Sequence, residues 1–181
     1  GVTASFADID NDGDPDLYTT TVRGGNVLFE NLGGGQFKDI SQASGLNHKG
    51  HSSAAVFFDY NRDGLLDVYL TNVGKYTSDK VLTVTMEQAR GEKEAEYKFF
   101  FGLADALSGH LPANKRGEGS ILFKNLGNNR FEDVSKKVKL QDESWTGDAS
   151  PVDFNQDGWI DLYVLNMQGD DQYYVNVGGE Y

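Results

Sequence analysis

The chain has 181 residues, with 22 glycines, 11 phenylalanines, 9 tyrosines, no cysteine and a formal net charge of −12. That length suits one sizeable domain or a short array of repeats sharing a core, and abundant aromatics and glycines lean toward strands and turns. The acidity argues against nucleic acid as a partner, the missing cysteines exclude disulfides and thiolate metal sites, and no segment approaches the roughly 18 apolar residues of a membrane span.

Gly1 is not followed by a basic and then apolar leader, so an exported protein would have lost its signal from this sequence. In chain order, the first feature is an aspartate-rich loop, Asp8-Ile-Asp10-Asn-Asp12-Gly13-Asp14-Pro-Asp16-Leu-Tyr18. It is followed by Val27-Leu-Phe-Glu-Asn31-Leu-Gly33 and by the strand-like run Gln36-Phe-Lys-Asp-Ile40. A further strand-like run, Ala54-Ala-Val-Phe-Phe58, leads into a second loop, Asp59-Tyr-Asn61-Arg-Asp63-Gly64-Leu65-Leu-Asp67-Val-Tyr69, and Val68-Tyr-Leu-Thr71 continues from it. The counterpart of the Asn31 motif is Ile121-Leu-Phe-Lys-Asn125-Leu-Gly127. A third loop, Asp153-Phe-Asn155-Gln-Asp157-Gly158-Trp159-Ile-Asp161-Leu-Tyr163, precedes Gln172-Tyr-Tyr-Val-Asn176-Val-Gly178.

The spacings are fixed. Asp8 to Asn31 and Asp153 to Asn176 each span 23 positions, Asn31 to Asp59 and Asn125 to Asp153 each span 28, and the period is 51. Asp59 to Asn125 spans 66, which leaves a 43-residue insertion within Gly74 to Gly119. The insertion includes a charged, helix-compatible stretch, Met86 to Glu96, and an apolar run from Phe99 to Ala104. Such insertions usually decorate one face of a repeat array, often the binding face.

Four strand-like runs per period predict an all-β protein of about three antiparallel, four-stranded propeller-blade repeats with one insertion. The expected organisation is one repeat domain, 1–181, with units at about 1–51, 52–145 (insertion within 74–119) and a truncated 146–181. Gly33-Gly-Gly and Gly127-Asn-Asn read as hairpin turns, because these residues tolerate positive φ.

The loops carry oxygen donors at alternate positions, the pattern that surrounds Ca²⁺ with six to eight oxygens. Positions 1, 3, 5 and 9 are Asp8, Asp10, Asp12 and Asp16 in the first loop, with the Asp14 carbonyl at position 7. They are Asp59, Asn61, Asp63 and Asp67 with the Leu65 carbonyl in the second, and Asp153, Asn155, Asp157 and Asp161 with the Trp159 carbonyl in the third. Glycine at position 6 allows the reversal of direction. Three Ca²⁺ would bring the net charge from −12 to −6; Mg²⁺ suits an all-protein cage less well, since it keeps its waters. An EF-hand needs glutamate at position 12 and flanking helices, but here position 12 is Thr19, Leu70 and Val164 in alternating strand-like runs.

These loops, together with Phe-x-Asn-Leu-Gly-x-x-x-Phe-x-Asp-Val/Ile-Ser, resemble the FG-GAP or VCBS repeats of integrin-like β-propellers and of bacterial exported proteins. The resemblance implies propeller blades with Ca²⁺ in the hairpin loop, an extracellular or cell-surface setting, and adhesion or recognition. Three blades do not close a ring. The chain therefore reads as part of a larger closed propeller that binds a protein or carbohydrate ligand, as an open array covered head to tail by other copies in a filament or matrix, or as a self-contained monomer.

No catalytic constellation is expected. His48 and His51 precede the second loop, and Trp145 takes the equivalent of His51 in the third unit, so packing or hydrogen bonding suits them; His110 falls in the insertion. Paired carboxylates could serve as general acid and base, but metal ligation accounts for their spacing. Tyr18, Tyr69 and Tyr163 follow the loops and are expected in blade cores rather than in a sugar-binding platform.

Overall fold

The computed structural model describes residues 1–22, 24–74, 118–168 and 170–181. The helix-compatible stretch 86–96, the apolar run 99–104 and His110 lie outside the described residues. Among the described residues the alternating segments form eleven strands and one short helix. In order these are β1 (Ala4–Ala7), β2 (Asp16–Thr19), β3 (Val27–Asn31), β4 (Phe37–Asp39), α1 (Ser41–Ser44), β5 (Ser52–Phe58), β6 (Asp67–Asn72), β7 (Ile121–Asn125), β8 (Phe131–Asp133), β9 (Trp145–Val152), β10 (Asp161–Gln168) and β11 (Gln172–Tyr174).

They build three antiparallel sheets, ordered β1-β2-β3-β4, β5-β6-β7-β8 and β11-β10-β9. The register repeats with the sequence. The hairpins carrying the acidic loops close at Ala7 opposite Asp16, Phe58 opposite Asp67 and Val152 opposite Asp161. On the next strand Leu17 faces Phe29, Val68 faces Phe123 and Leu162 faces Tyr174. The third sheet has three strands. The insertion joins β6 to β7, so it leaves and re-enters the middle sheet at the end opposite its acidic loop.

Strand alternation gives the middle sheet two apolar faces. Ala55, Val68, Leu70, Phe123 and Phe131 bury against Ala7, Ile9, Tyr18, Leu28 and Ile40 of the first sheet. Phe58, Tyr60, Tyr69, Leu122 and Val134 bury against Ala149, Leu162 and Val164 of the third. Packing face to face makes the sheets a stack of blades with continuous core between neighbours. Hydroxyl groups cross the same boundaries: Ser5 Oγ donates to the Ala55 carbonyl (2.9 Å), Thr20 Oγ1 to that of Ser53 (3.1 Å), and Ser53 Oγ to that of Thr146 (2.6 Å).

The Phe-x-Asp-Val/Ile-Ser segment has a definite task at the end of each outer strand. Asp39 Oδ1 accepts from the amide and hydroxyl of Ser41, and Ser41 Oγ accepts the Leu28 amide at 2.9 Å. Asp133, Ser135 and Leu122 repeat the arrangement, so a buried amide keeps an acceptor where strand pairing runs out. The glycine turns take the expected left-handed backbone, with φ of 74°, 60° and 78° at Gly33, Gly34 and Gly35 and 76°, 52° and 56° at Gly127, Asn128 and Asn129.

His51 sits where a hydrogen-bonding role was expected: its Nδ1 lies 2.6 Å from Glu118 Oε1, and its amide donates to Glu118 Oε2. Burial holds the His48 imidazole below its ordinary pKa, against the opposing pull of Glu118 and Asp133. The folded protein thus binds this proton less readily than the unfolded chain, so the stability His48 supplies is complete above pH ~6.5 and is lost as pH falls through its folded pKa. Urea unfolding at pH 7.5 and pH 5 should show the loss, and His48→Gln should reduce the difference between the two pH values.

Tyr18 and Tyr69 are fully buried, as expected, whereas Tyr163 at the same repeat position is exposed. Tyr18 donates its hydroxyl to the Leu46 carbonyl at 2.8 Å and meets Phe57 edge to face. Tyr18→Phe leaves that carbonyl buried without its partner and should cost about 1–2 kcal/mol in urea unfolding; Tyr163→Phe, on the exposed face, should stay within about 0.5 kcal/mol.

Candidate metal centres

Each acidic loop connects the first two strands of its sheet and follows one hydrogen-bond scheme. The position 1 carboxylate receives two loop amides. Asp8 accepts from Asp12 (3.1 Å) and Gly13 (3.0 Å), Asp59 from Asp63 and Gly64, and Asp153 from Asp157 and Gly158. Position 3 accepts from the position 5 amide through Asp10, Asn61 and Asn155. The position 5 carboxylates of Asp12, Asp63 and Asp157 accept from the amides of Asp14, Leu65 and Trp159, making an Asx turn at position 7.

Position 9 anchors the loop to the sheet. Asp16 is almost fully buried, accepting from the Ile9 amide (3.2 Å) through one oxygen and the Asn31 amide (2.8 Å) through the other. Asp67 does the same with Tyr60 (3.1 Å) and Asn125 (2.7 Å), and Asp161 with Phe154 (3.1 Å) and Asn176 (2.8 Å). The asparagine of the second motif completes the connection. Asn31, Asn125 and Asn176 each donate their side-chain amide to a loop carbonyl at position 8, those of Pro15, Leu66 and Ile160. Their side-chain carbonyls accept from Gly33, Gly127 and Gly179 in the following turns. Sequence reasoning found the fixed 23-residue spacing of loop and asparagine but assigned the asparagine no role; that spacing was the available signal.

Two of these asparagines also reach the preceding unit. Asn125 Nδ2 donates to the Ile9 carbonyl and Asn176 Nδ2 to the Tyr60 carbonyl, each at 2.8 Å. Position 4 makes a second cross-unit contact in the opposite direction. Asn11, Arg62 and Gln156 there hold left-handed φ values of 62°, 61° and 61°. Asn11 Nδ2 donates to the Gly64 carbonyl (3.1 Å), and the Arg62 guanidinium stacks 4.7 Å above the Trp159 ring and lies against Gly158, whose missing side chain gives it room.

The electrostatics differ between loops. Asp8, Asp10 and Asp16 bring one carboxylate oxygen each within 4.8 Å of one another. It is the one such acidic triad among the described residues, since Asn61 and Asn155 stand where Asp10 does. Burial raises the pKa of Asp16 and the charges of Asp10 and Asp12 add to it, against the amides of Asn31 and Ile9. Burial likewise pushes Asp67 up to about 7, with Asp63 and Asp59 contributing. It acts upward on Asp161 too, but hydrogen bonds from Asn176, Tyr173, Phe154 and Asn155 outweigh it and the pKa falls. The second loop has its own cation, Lys124, whose Nζ lies 3.2 Å from Asp63 Oδ2.

The asparagine connection predicts a graded series. Asn125→Ala and Asn176→Ala each remove a buried donor shared by two units and should cost about 2–4 kcal/mol. Asn31→Ala, half-buried and bonded within its own unit, should cost about 1 kcal/mol. Urea unfolding should give this order both in calcium and in chelator.

No curated protein matches the chain. Residues 8–70, from the first acidic loop through the Asn31 motif and the second loop, match the family model described as FG-GAP-like repeat. The matched span covers one full period and the start of the next, and the described remainder repeats its sheets and loops. Across that span the chain is similar to FG-GAP-like repeats.

Proposed function

We propose that this chain is a calcium-stabilised extracellular β-repeat protein with a structural or adhesive role and no catalytic function. It would hold about three Ca²⁺, one in each acidic loop. The observation that carries this reading is a single loop scaffold built three times, with oxygen donors alone at positions 1, 3, 5 and 9. Oxygen donors suit a hard cation, and the carboxylates of Asp8, Asp10 and Asp16 already converge. Amides occupy one lone pair on each oxygen of Asp16 and Asp67 and leave others for a cation; at Asp161 the Tyr173 hydroxyl also donates to Oδ2 (2.8 Å).

In this reading Asp8, Asp10, Asp12 and Asp16 hold the first ion with the Asp14 carbonyl, and the corresponding residues of the other two loops hold theirs. The cation offsets repulsion among the three to five carboxylates of each nine-residue loop and counters the burial that favours the protonated form of Asp67. FG-GAP-like repeats are typical of extracellular proteins, where millimolar calcium would fill sites with Kd of ~10⁻⁴ to 10⁻³ M. No helix among the described residues is long and apolar enough to cross a membrane.

Calcium titration by calorimetry with parallel thermal melts tests the reading. At a ~20-fold excess over Kd each filled site should add about 1.8 kcal/mol. Asp63→Asn keeps the acceptor for the Leu65 amide but removes a charge, and should weaken the second site about tenfold. Lys124→Met, which removes the competing ammonium, should tighten it. Identical melting in saturating calcium and in chelator would refute the reading.

A further inference from the structure

The first and second acidic loops are each held by the unit that follows at three consecutive residues, positions 2, 3 and 4, which lie among the oxygen donors. At position 2 the carbonyls of Ile9 and Tyr60 accept the side-chain amides of Asn125 and Asn176. At position 3, Asn129 Nδ2 in the glycine turn of the second unit donates to Asp10 Oδ2 (3.4 Å) and to Glu30 Oε1 (2.9 Å). The corresponding turn of the third unit lies against Asn61: a side-chain carbon added at Gly179 would sit 4.0 Å from Asn61 Cβ and from the Trp159 ring. At position 4, Asn11 bonds the Gly64 carbonyl and Arg62 stacks on Trp159 beside Gly158. Asn129 Oδ1 is buried without a hydrogen-bond partner. Such an acceptor is costly, and the two carboxylates that take the Nδ2 end of the same amide hold the side chain there.

These contacts join the donor groups of one loop to those of the next. Gly64 and Gly158 stand at position 6, between the position 5 carboxylates and the position 7 carbonyls, and their amides bond the position 1 carboxylates of Asp59 and Asp153. Asn11 and Arg62 stand between the position 3 and position 5 donors of their own loops, in left-handed backbone that the loop imposes. Neither side chain keeps its grip unless both loops hold their shape. Ordering one loop therefore lowers the entropic cost of ordering its neighbour.

We propose that calcium binding at the three loops is positively coupled, between the first and second through Asn11 and Asn129, and between the second and third through the stack of Arg62 on the Trp159 ring. Asn11, Arg62 and Asn129 are positioning residues that supply no oxygen to an ion. The coupling is reciprocal: filling the third loop tightens the second by the same factor as filling the second tightens the third. The proposal rests on the calcium reading above and deepens it, making the loops one device instead of three separate sites.

Calcium titration of the full chain tests it, followed by calorimetry and by the backbone amide NMR signals of Gly13, Gly64 and Gly158, one position 6 amide for each loop. Asp157→Asn weakens the third loop and should also move the Gly64 midpoint about fivefold to higher calcium. In an Arg62→Ala background the same substitution should leave the Gly64 midpoint where it was. Asp63→Asn should likewise move the Gly13 midpoint about fivefold, and Asn11→Ala combined with Asn129→Ala should remove that movement. Asn11 and Arg62 are exposed, so their substitution should leave melting in chelator almost unchanged, and each comparison is made within one background, so the lost Arg62 charge cancels. Midpoints at Gly13 and Gly64 that ignore the next loop, or that move by the same factor once the contacts are cut, would overturn the coupling and leave independent calcium sites standing. A titration with neither heat nor movement of the amide signals would overturn it together with the calcium reading.

Discussion

The structure depends on a buried carboxylate that faces two ways. Asp16, Asp67 and Asp161 each sit at the first residue of a strand, take one amide from the acidic loop and another from an asparagine at the end of, or just past, the neighbouring strand. An isolated carboxylate in such a place would be costly. Two backbone amides offset part of that cost and fix the loop to the sheet. The loop cannot change shape without disturbing the strand register, and register in turn decides which face of each strand is apolar. Electrostatics of the loops and packing of the blades are therefore one constraint seen from two sides.

Much of this was legible in the sequence, for physical reasons that are easily named. Aspartate at alternate positions with glycine at position 6 has few conformations open to it, and a spacing of 23 residues repeated without change requires a fixed partner. The strands at Val27, Ala54, Val68 and Ile121 alternate cleanly, and the Gly33 and Gly127 turns hold residues that accept positive φ. Arg62 and Gln156 in left-handed backbone were not legible, since neither type favours that region; the loop imposes it, and only Asn11 gave a hint. The bonds from Asn125 to Ile9 and from Asn176 to Tyr60 span 116 residues and have no local signature. Tyr163 was assigned to a core by analogy with Tyr18 and Tyr69, an assignment that holds only where a neighbouring sheet covers the tyrosine.

The three loops share a backbone but not a field. The first has five carboxylates and Glu30 at the equivalent of Lys124, the second has Lys124 paired to Asp63, and the third has Val175 at that position. A common scaffold with different charges lets each loop be tuned by one or two side chains while the hydrogen bonds stay constant. The Arg62 and Trp159 stack shows a similar freedom at position 4, where an amide in one unit is replaced by a guanidinium over an aromatic ring in the next.

The asparagine link also sets an order in time. A ribosome makes the Ile9 carbonyl 116 residues before it makes Asn125, and Tyr60 the same distance before Asn176. Each unit therefore leaves the exit tunnel with its forward seam unsealed and waits for its successor to close it. Growth proceeds in one direction, with the newest unit always the least protected. The insertion between β6 and β7 lies inside both spans and lengthens the wait of the first and second units alike by 43 residues, so the stretch of synthesis between Tyr60 and Asn125 is when the nascent chain is most open to a wrong partner.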